Sequence, residues 1–178
     1  MNDVSSLPVG TDQYDVFSQI YNKYYLKIYK YTLYRVADQY VAEDLVSEIF
    51  VKVLDKYNTY NPTKGKFSTW VFAIANNTII NYYKTINRNK VVNWEQVDSQ
   101  YRLEDLIIEQ ELKEILLKAI LRLDERQRSI IALKFGANMK NREIAKMLDL
   151  TESNVGTILY RALKHLRDNL KKQGVIFE

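Results

Sequence analysis

The 178-residue sequence predicts an all-α protein, two small helical domains joined by a flexible linker, with a helix-turn-helix in the C-terminal one. Three observations lead there. Five Gly and two Pro leave too few turn formers for a β-rich fold. Both prolines, Pro8 and Pro62, precede residue 63, so the rest of the chain lacks that helix breaker. Apolar residues also recur at three- and four-residue spacing through most of the chain, as one face of a helix requires.

After a tail of residues 1–13, Phe17, Ile20, Tyr21, Tyr24, Ile28 and Tyr31 mark a first helix over 14–36. A second runs from near Val41 to about Tyr57, with Leu45, Ile49, Phe50 and Val53 inward. Asn58 to Lys66, containing Pro62 and Gly65, gathers turn formers and reads as a surface loop. A third helix follows from Ser68 to about Ile86, and three helices of this length enclose a small core. Together these make a first domain over 14–88. Residues 89–108 show no clean period and are read as a linker. From Glu109 the helical pattern resumes through Leu112, Ile115, Leu116, Ala119 and Ile120, opening a second domain over 109–178. Breaks fall near Leu123-Asp124 and at Phe135 to Asn138.

Asn141 to Leu159 fits the helix-turn-helix. Ile144, Ala145 and Leu148 form the inner face of its first helix, and Val155 and Ile158 that of its second. Ala145 is small where the helices cross, Leu150 plugs the turn, and Thr151 is placed to cap the second helix. Asp149 stands where Gly is common, and Asp tolerates the left-handed backbone that this turn needs. Ser153, Asn154, Thr157 and Tyr160 suit base edges in a major groove, with Arg142, Arg161 and Lys164 suited to phosphates. An ordinary helical hairpin with a solvated basic face has the same pattern.

Charge divides the chain. Residues 1–88 carry net +2, residues 89–111 net −4 and residues 112–178 net +6, within an overall +4. A basic C-terminal part beyond an acidic stretch suits an anionic partner, although a solvated lysine-rich surface gives the same count. The absence of Cys excludes disulfides and thiolate chemistry. No apolar run approaches the roughly 20 residues that cross a bilayer, and the first ten residues do not read as a secretory signal, so membrane insertion is excluded and a cytoplasmic protein is expected. The single His, His165, has no matched carboxylate or thiol nearby in sequence, and an enzyme is not expected. Nor is a metal or cofactor, because Glu43, Asp44 and Glu48 lack further ligands at a telling spacing.

Two motifs in the first domain exceed what a simple duplex-DNA binder needs. In Ala42-Glu43-Asp44-Leu45-Val46-Ser47-Glu48-Ile49-Phe50-Val51-Lys52, Asp44 and Glu48 are four apart and share a helical face. That face suits a basic partner, or is a solvated acidic stripe. Lys64-Gly65-Lys66-Phe67-Ser68-Thr69-Trp70 runs into a helix bearing Asn76 and Asn77. Its basic loop, hydroxyls and aromatics suit single-stranded DNA, whose bases stack and are held at their edges. Phe67 and Trp70 suit a core as well.

This order of motifs, with the lead-in Leu123-Asp124-Glu125-Arg126-Gln127-Arg128, resembles the bacterial sigma factors over residues 14 to about 172, and the short two-domain layout resembles their extracytoplasmic-function group. The resemblance implies that Glu43, Asp44, Leu45, Glu48, Ile49, Phe50 and Lys52 grip core RNA polymerase. It implies that Lys64, Lys66, Phe67, Ser68, Thr69, Trp70, Asn77, Lys84 and Arg88 open and hold the −10 element as single strands. It implies that Arg142, Ser153, Asn154, Thr157, Tyr160, Arg161 and Lys164 read the duplex −35 element, and that the acidic linker passes through the polymerase. It admits an anti-sigma protein as a further partner, and with no inhibitory extension before 14 or after 172, control by another protein is the expectation. Two departures stand out. Ala73 and Ile74 occupy the place of a Trp pair in housekeeping members, which predicts stricter promoter choice. Gly156 and Ile158 stand where relatives often carry Arg or Lys, which weakens the −35 contact set. A helix-turn-helix regulator that binds duplex DNA without polymerase is the main rival, and a helical protein-interaction module the second.

Overall fold

The structure is a computed structural model and describes residues 13–88 and 104–175. The described residues form seven α-helices and no strand: α1 Gln13–Val36, α2 Gln39–Lys56, α3 Phe67–Arg88, α4 Glu104–Leu121, α5 Glu125–Ile131, α6 Asn141–Leu148 and α7 Glu152–Lys172. A 3₁₀ turn, Tyr57–Thr59, follows α2, and a π-helical turn, Ala132–Gly136, follows α5. The all-α expectation holds. α4 begins within the stretch read as linker, whereas residues 89–103 and the tail 1–12 lie outside the described residues.

Helix ends follow from local chemistry. α1 stops where Ala37 turns left-handed (φ 52°) and its N–H returns to the Leu33 carbonyl at 2.7 Å. Asp38 then caps α2, its Oδ1 accepting from the Val41 N–H at 2.9 Å. Asp124 caps α5 in the same way through the Gln127 N–H at 2.8 Å. Arg128 donates from Nη2 to the Leu121 and Leu123 carbonyls, satisfying acceptors left open at the end of α4.

α1, α2 and α3 bury Ile20, Tyr24, Ile28, Ile49, Val53, Phe72 and Ile79 among others. Each such side chain contributes about 1.5–3 kcal/mol on leaving water. This core does not stop at three helices. It continues into Ile130, Leu133, Ala137, Met139, Ile144 and Val155 of the second half. A smaller cluster of Ala119, Ile120, Leu123, Ile131, Ala162, Leu166 and Leu170 binds α4, α5 and α7. Three short helices bury little area alone, and the π-helical turn laid on α1 adds to it. Tyr21 and Leu112, read as inward, are exposed at the edges of their faces.

Candidate nucleic-acid interface

The helix-turn-helix is built as its residues require. Glu143 reaches back so that its Oε2 accepts from the Lys140 N–H at 3.0 Å, fixing the start of α6. Asp149 is left-handed (φ 53°, ψ 52°), and the Leu150 N–H meets the Ala145 carbonyl at 2.9 Å. Thr151 caps α7, its Oγ1 accepting from the Asn154 N–H at 3.1 Å. Ile144 and Val155 are fully buried and Ala145 nearly so, which lets α6 and α7 cross closely. These are the roles the sequence assigned.

On α7, Ser153, Asn154, Thr157, Tyr160, Arg161 and Lys164 are all exposed. Positions 153, 157, 160, 161 and 164 follow helical spacing and form one outward stripe. Tyr160 keeps 70% of its surface exposed, and an aromatic left so open suits contact with a partner. Arg142, also exposed, lies on α6. The hydroxyl of Thr157 donates to the Ser153 carbonyl at 3.1 Å, leaving its lone pairs to accept.

The loop before α3 is ordered by its own side chains. Asn61 Oδ1 accepts from the Thr63 N–H at 2.9 Å and from its hydroxyl at 2.7 Å, and the Tyr60 hydroxyl donates to the Gly65 carbonyl at 3.0 Å. Lys64 and Lys66 are thereby held outward, and Ser68, Thr69 and Trp70 are half-buried. Ala73, Asn77, Asn81 and Lys84 form an exposed stripe down α3. Sequence reasoning missed Asn81, although its four-residue step from Asn77 was available as a signal. The side chain of Arg88 lies outside the described residues.

Phe67 is a correction. It is 1% exposed beneath Tyr24, Tyr60 and Trp70, with ring centroids 5.0–5.6 Å apart, so it shapes the loop and does not meet DNA directly. The α2 apolar residues are corrected too. Leu45, Ile49 and Phe50 are at most 4% exposed and pack inward, Phe50 against Phe17, Tyr21 and Tyr25. They anchor α2 and present nothing to a partner. The exposed face keeps Glu43, Asp44 and Glu48, joined by Tyr40 and Val51. Lys52 pairs with Glu48 and donates to the Thr78 hydroxyl at 3.3 Å, fastening α2 to α3.

The described residues contain no group of three metal-binding side chains and no helix long and apolar enough to cross a membrane. What they offer is an acidic helix face, a basic loop with a polar stripe, and a basic recognition helix.

The Sigma-70 region 2 model matches residues 20–89, and the Sigma-70 region 4 model matches residues 113–166. RNA polymerase sigma factor SigV of Bacillus subtilis is 32% identical over 154 residues, spanning 83% of this chain and 89% of its own length. The chain belongs to the sigma factors, in the extracytoplasmic-function group.

Further relatives agree. The extracytoplasmic-function sigma factor SigX of Bacillus subtilis is 28% identical over 88% of this chain and 84% of its own. BldN of Streptomyces coelicolor, from the same group, is 30% identical over 85% of this chain, which spans 59% of BldN's length. Among solved structures, CnrH in complex with the cytosolic domain of CnrY has the same fold at TM-score 0.65 and 18% identity, over 95% of this chain and 92% of that one. Sigma factor RpoE in complex with the anti-sigma factor NepR, from Bartonella quintana, has it at 0.68 and 19%, over 87% and 96%. In this sigma factor, region 2 covers most of α1 and all of α2 and α3. Region 4 takes in α5 and α6 whole, with the larger parts of α4 and α7.

Proposed function

We propose that this sigma factor binds core RNA polymerase through α2 and divides promoter recognition between its two halves. Glu43, Asp44 and Glu48 face a basic helical surface of the polymerase, with Lys52 steadying Glu48. Tyr40 and Val51 supply the apolar contact that Leu45, Ile49 and Phe50, being buried, do not.

At the −10 element, Lys64 and Lys66 meet phosphates as the strands part. Trp70, Ser68 and Thr69 hold unstacked bases, and Asn77, with Asn81, Lys84 and Arg88, tracks the strand down α3. Extruding a base costs a few kcal/mol, and stacking on one aromatic returns about 1–3 kcal/mol. At the −35 element, Ser153, Asn154, Thr157 and Tyr160 approach base edges while Arg142, Arg161 and Lys164 take phosphates. The protein carries no chemistry of its own and acts in the cytoplasm, where polymerase works. CnrH and RpoE were each solved with a bound regulator, which supports an anti-sigma protein as a partner here also.

The single observation behind this reading is that the exposed polar faces of α2, α3 and α7 fall within the runs matched by region 2 and region 4. The test is binding of the purified protein to bacterial core polymerase beside an Asp44→Lys, Glu48→Lys double variant. Tight binding by the parent and at least tenfold weaker binding by a folded variant is expected. A parent that ignores the polymerase yet binds duplex DNA would leave an independent regulator instead.

A further inference from the structure

The π-helical turn before α6 lies on α1 more closely than any residue but glycine allows. A Cβ at Gly136 would sit 2.7 Å from the Tyr31 nitrogen, 2.8 Å from the Tyr31 Cα and 3.0 Å from the Lys30 carbonyl carbon. Those are backbone atoms and cannot swing aside. Gly136 is not in a left-handed conformation, so glycine is needed here for the approach alone. Two ion pairs span the same junction. Lys66 Nζ meets Glu143 Oε1 at 2.9 Å, and Arg35 Nη2 lies 3.8 Å from Glu125 Oε1.

We propose that this junction is a latch, which keeps the free sigma factor closed until polymerase opens it. The inference rests on the promoter reading above. The −10 and −35 elements lie about two and a half helical turns apart, roughly 85 Å along the duplex. In the closed chain Lys66, assigned to the −10 element, is bonded to α6 of the −35 unit. The whole of α7 is 21 residues, about 32 Å. A closed chain therefore reaches one element at a time, and Glu143 occupies the lysine that a −10 phosphate needs.

The latch is built to release. Lys66 and Glu125 are largely solvated, so their pairs are weak. Arg35 is 2% exposed, and its carboxylate partner is distant, so opening returns a poorly compensated guanidinium to water. A ligand that binds only the open form loses affinity by the fraction of chains that are open. The recognition stripe on α7 stays exposed in the closed form, so its contact with isolated −35 duplex serves as a control.

The native chain has no Cys, so spin labels at Lys27→Cys and Lys171→Cys report the separation of the halves in the full-length protein. The free parent is expected to show one narrow distance, and Gly136→Ala a longer, broader one. Core polymerase should lengthen the distance in both. Gly136→Ala should bind polymerase about tenfold more tightly, with its helicity and its affinity for −35 duplex unchanged. A free parent that is already open, or a Gly136→Ala variant with parental distance or parental polymerase affinity, would overturn the latch. Should Gly136→Ala lose helicity, Lys66→Cys with Glu143→Cys joined by a cleavable cross-linker decides. Assembly must then fail when linked and recover on cleavage, and linked chains that assemble normally end the proposal. Because the distance in the free chain needs neither polymerase nor DNA, a failure of the sigma reading is seen separately, as a parent that never binds polymerase.

Discussion

Arg35 donates from Nη1 to the side-chain oxygen of Asn76 across 3.0 Å, joining α1 to α3 where the arginine is almost wholly buried. The Tyr31 hydroxyl donates to the same oxygen at 3.1 Å and accepts from Arg35 at 3.2 Å, and the Tyr83 hydroxyl donates to the Arg35 carbonyl at 2.7 Å. Burial pushes the Tyr31 phenol up, against the pull of the Arg35 guanidinium. The triad sets the seat of α3 one residue before Asn77.

Its two ends should respond unequally. Asn76→Leu leaves a buried cation short of its acceptor and is expected to lower the unfolding free energy by about 3 kcal/mol. Arg35→Met removes the charge together with its need, and the loss should be about 1–2 kcal/mol smaller. Urea unfolding of both variants checks the order, and equal losses would refute it.

Core and docking roles on α2 separate in the same experiment. Ile49→Ala should cost about 3 kcal/mol of stability, because the side chain is fully buried. Asp44→Lys, on an exposed position, should stay within about 0.5 kcal/mol of the parent while weakening the polymerase complex. A stable Ile49→Ala protein would contradict its placement in the core.

Gly156 sits inside α7 with nothing within 4 Å of a Cβ placed there. Gly156→Ala is therefore expected to gain about 0.8–1 kcal/mol in urea unfolding. Gly156→Arg should add one phosphate contact, steepening the salt dependence of −35 duplex binding by about 0.9 in log–log slope. An unchanged slope in a salt titration would place position 156 away from the DNA.

Glu143 gives the closed form a pH limit. The Lys140 N–H first, then Lys66, holds its carboxyl below the usual carboxylate range. A depressed pKa contributes stability that is present above the ordinary carboxylate range and is lost as pH falls through the lowered value. Acid should thus weaken the parent more than Glu143→Gln, whose urea midpoint should vary less with pH over that interval. Parallel pH profiles for the two would show that Glu143 carries no such linkage.

The sequence-legible parts of this fold are those set by neighbours along the chain. The periodic faces of α1 to α3, the left-handed Asp149 and the Thr151 cap depend on contacts within a few residues. Each was readable because helix geometry fixes which of those residues meet. The direction of Leu45, Ile49, Phe50 and Phe67 was not. An apolar residue on an amphipathic helix serves a core or a partner equally well by spacing alone, and only the presence of α1 and α3 around these four settles it.

The amino-acid sequence by itself determined seven helical segments' worth of periodicity, the helix-turn-helix and the family, since all three rest on local order. Tertiary structure alone decided the rest. Arg35 reads in sequence as an ordinary surface cation and Gly136 as an ordinary turn former, yet one is buried and the other lies against the α1 backbone. Their partners are up to about a hundred residues away, Asn76 and Glu125 for Arg35 and Tyr31 for Gly136. Such long-range pairings are imposed by how the finished helices pack, and no local pattern of residues encodes them.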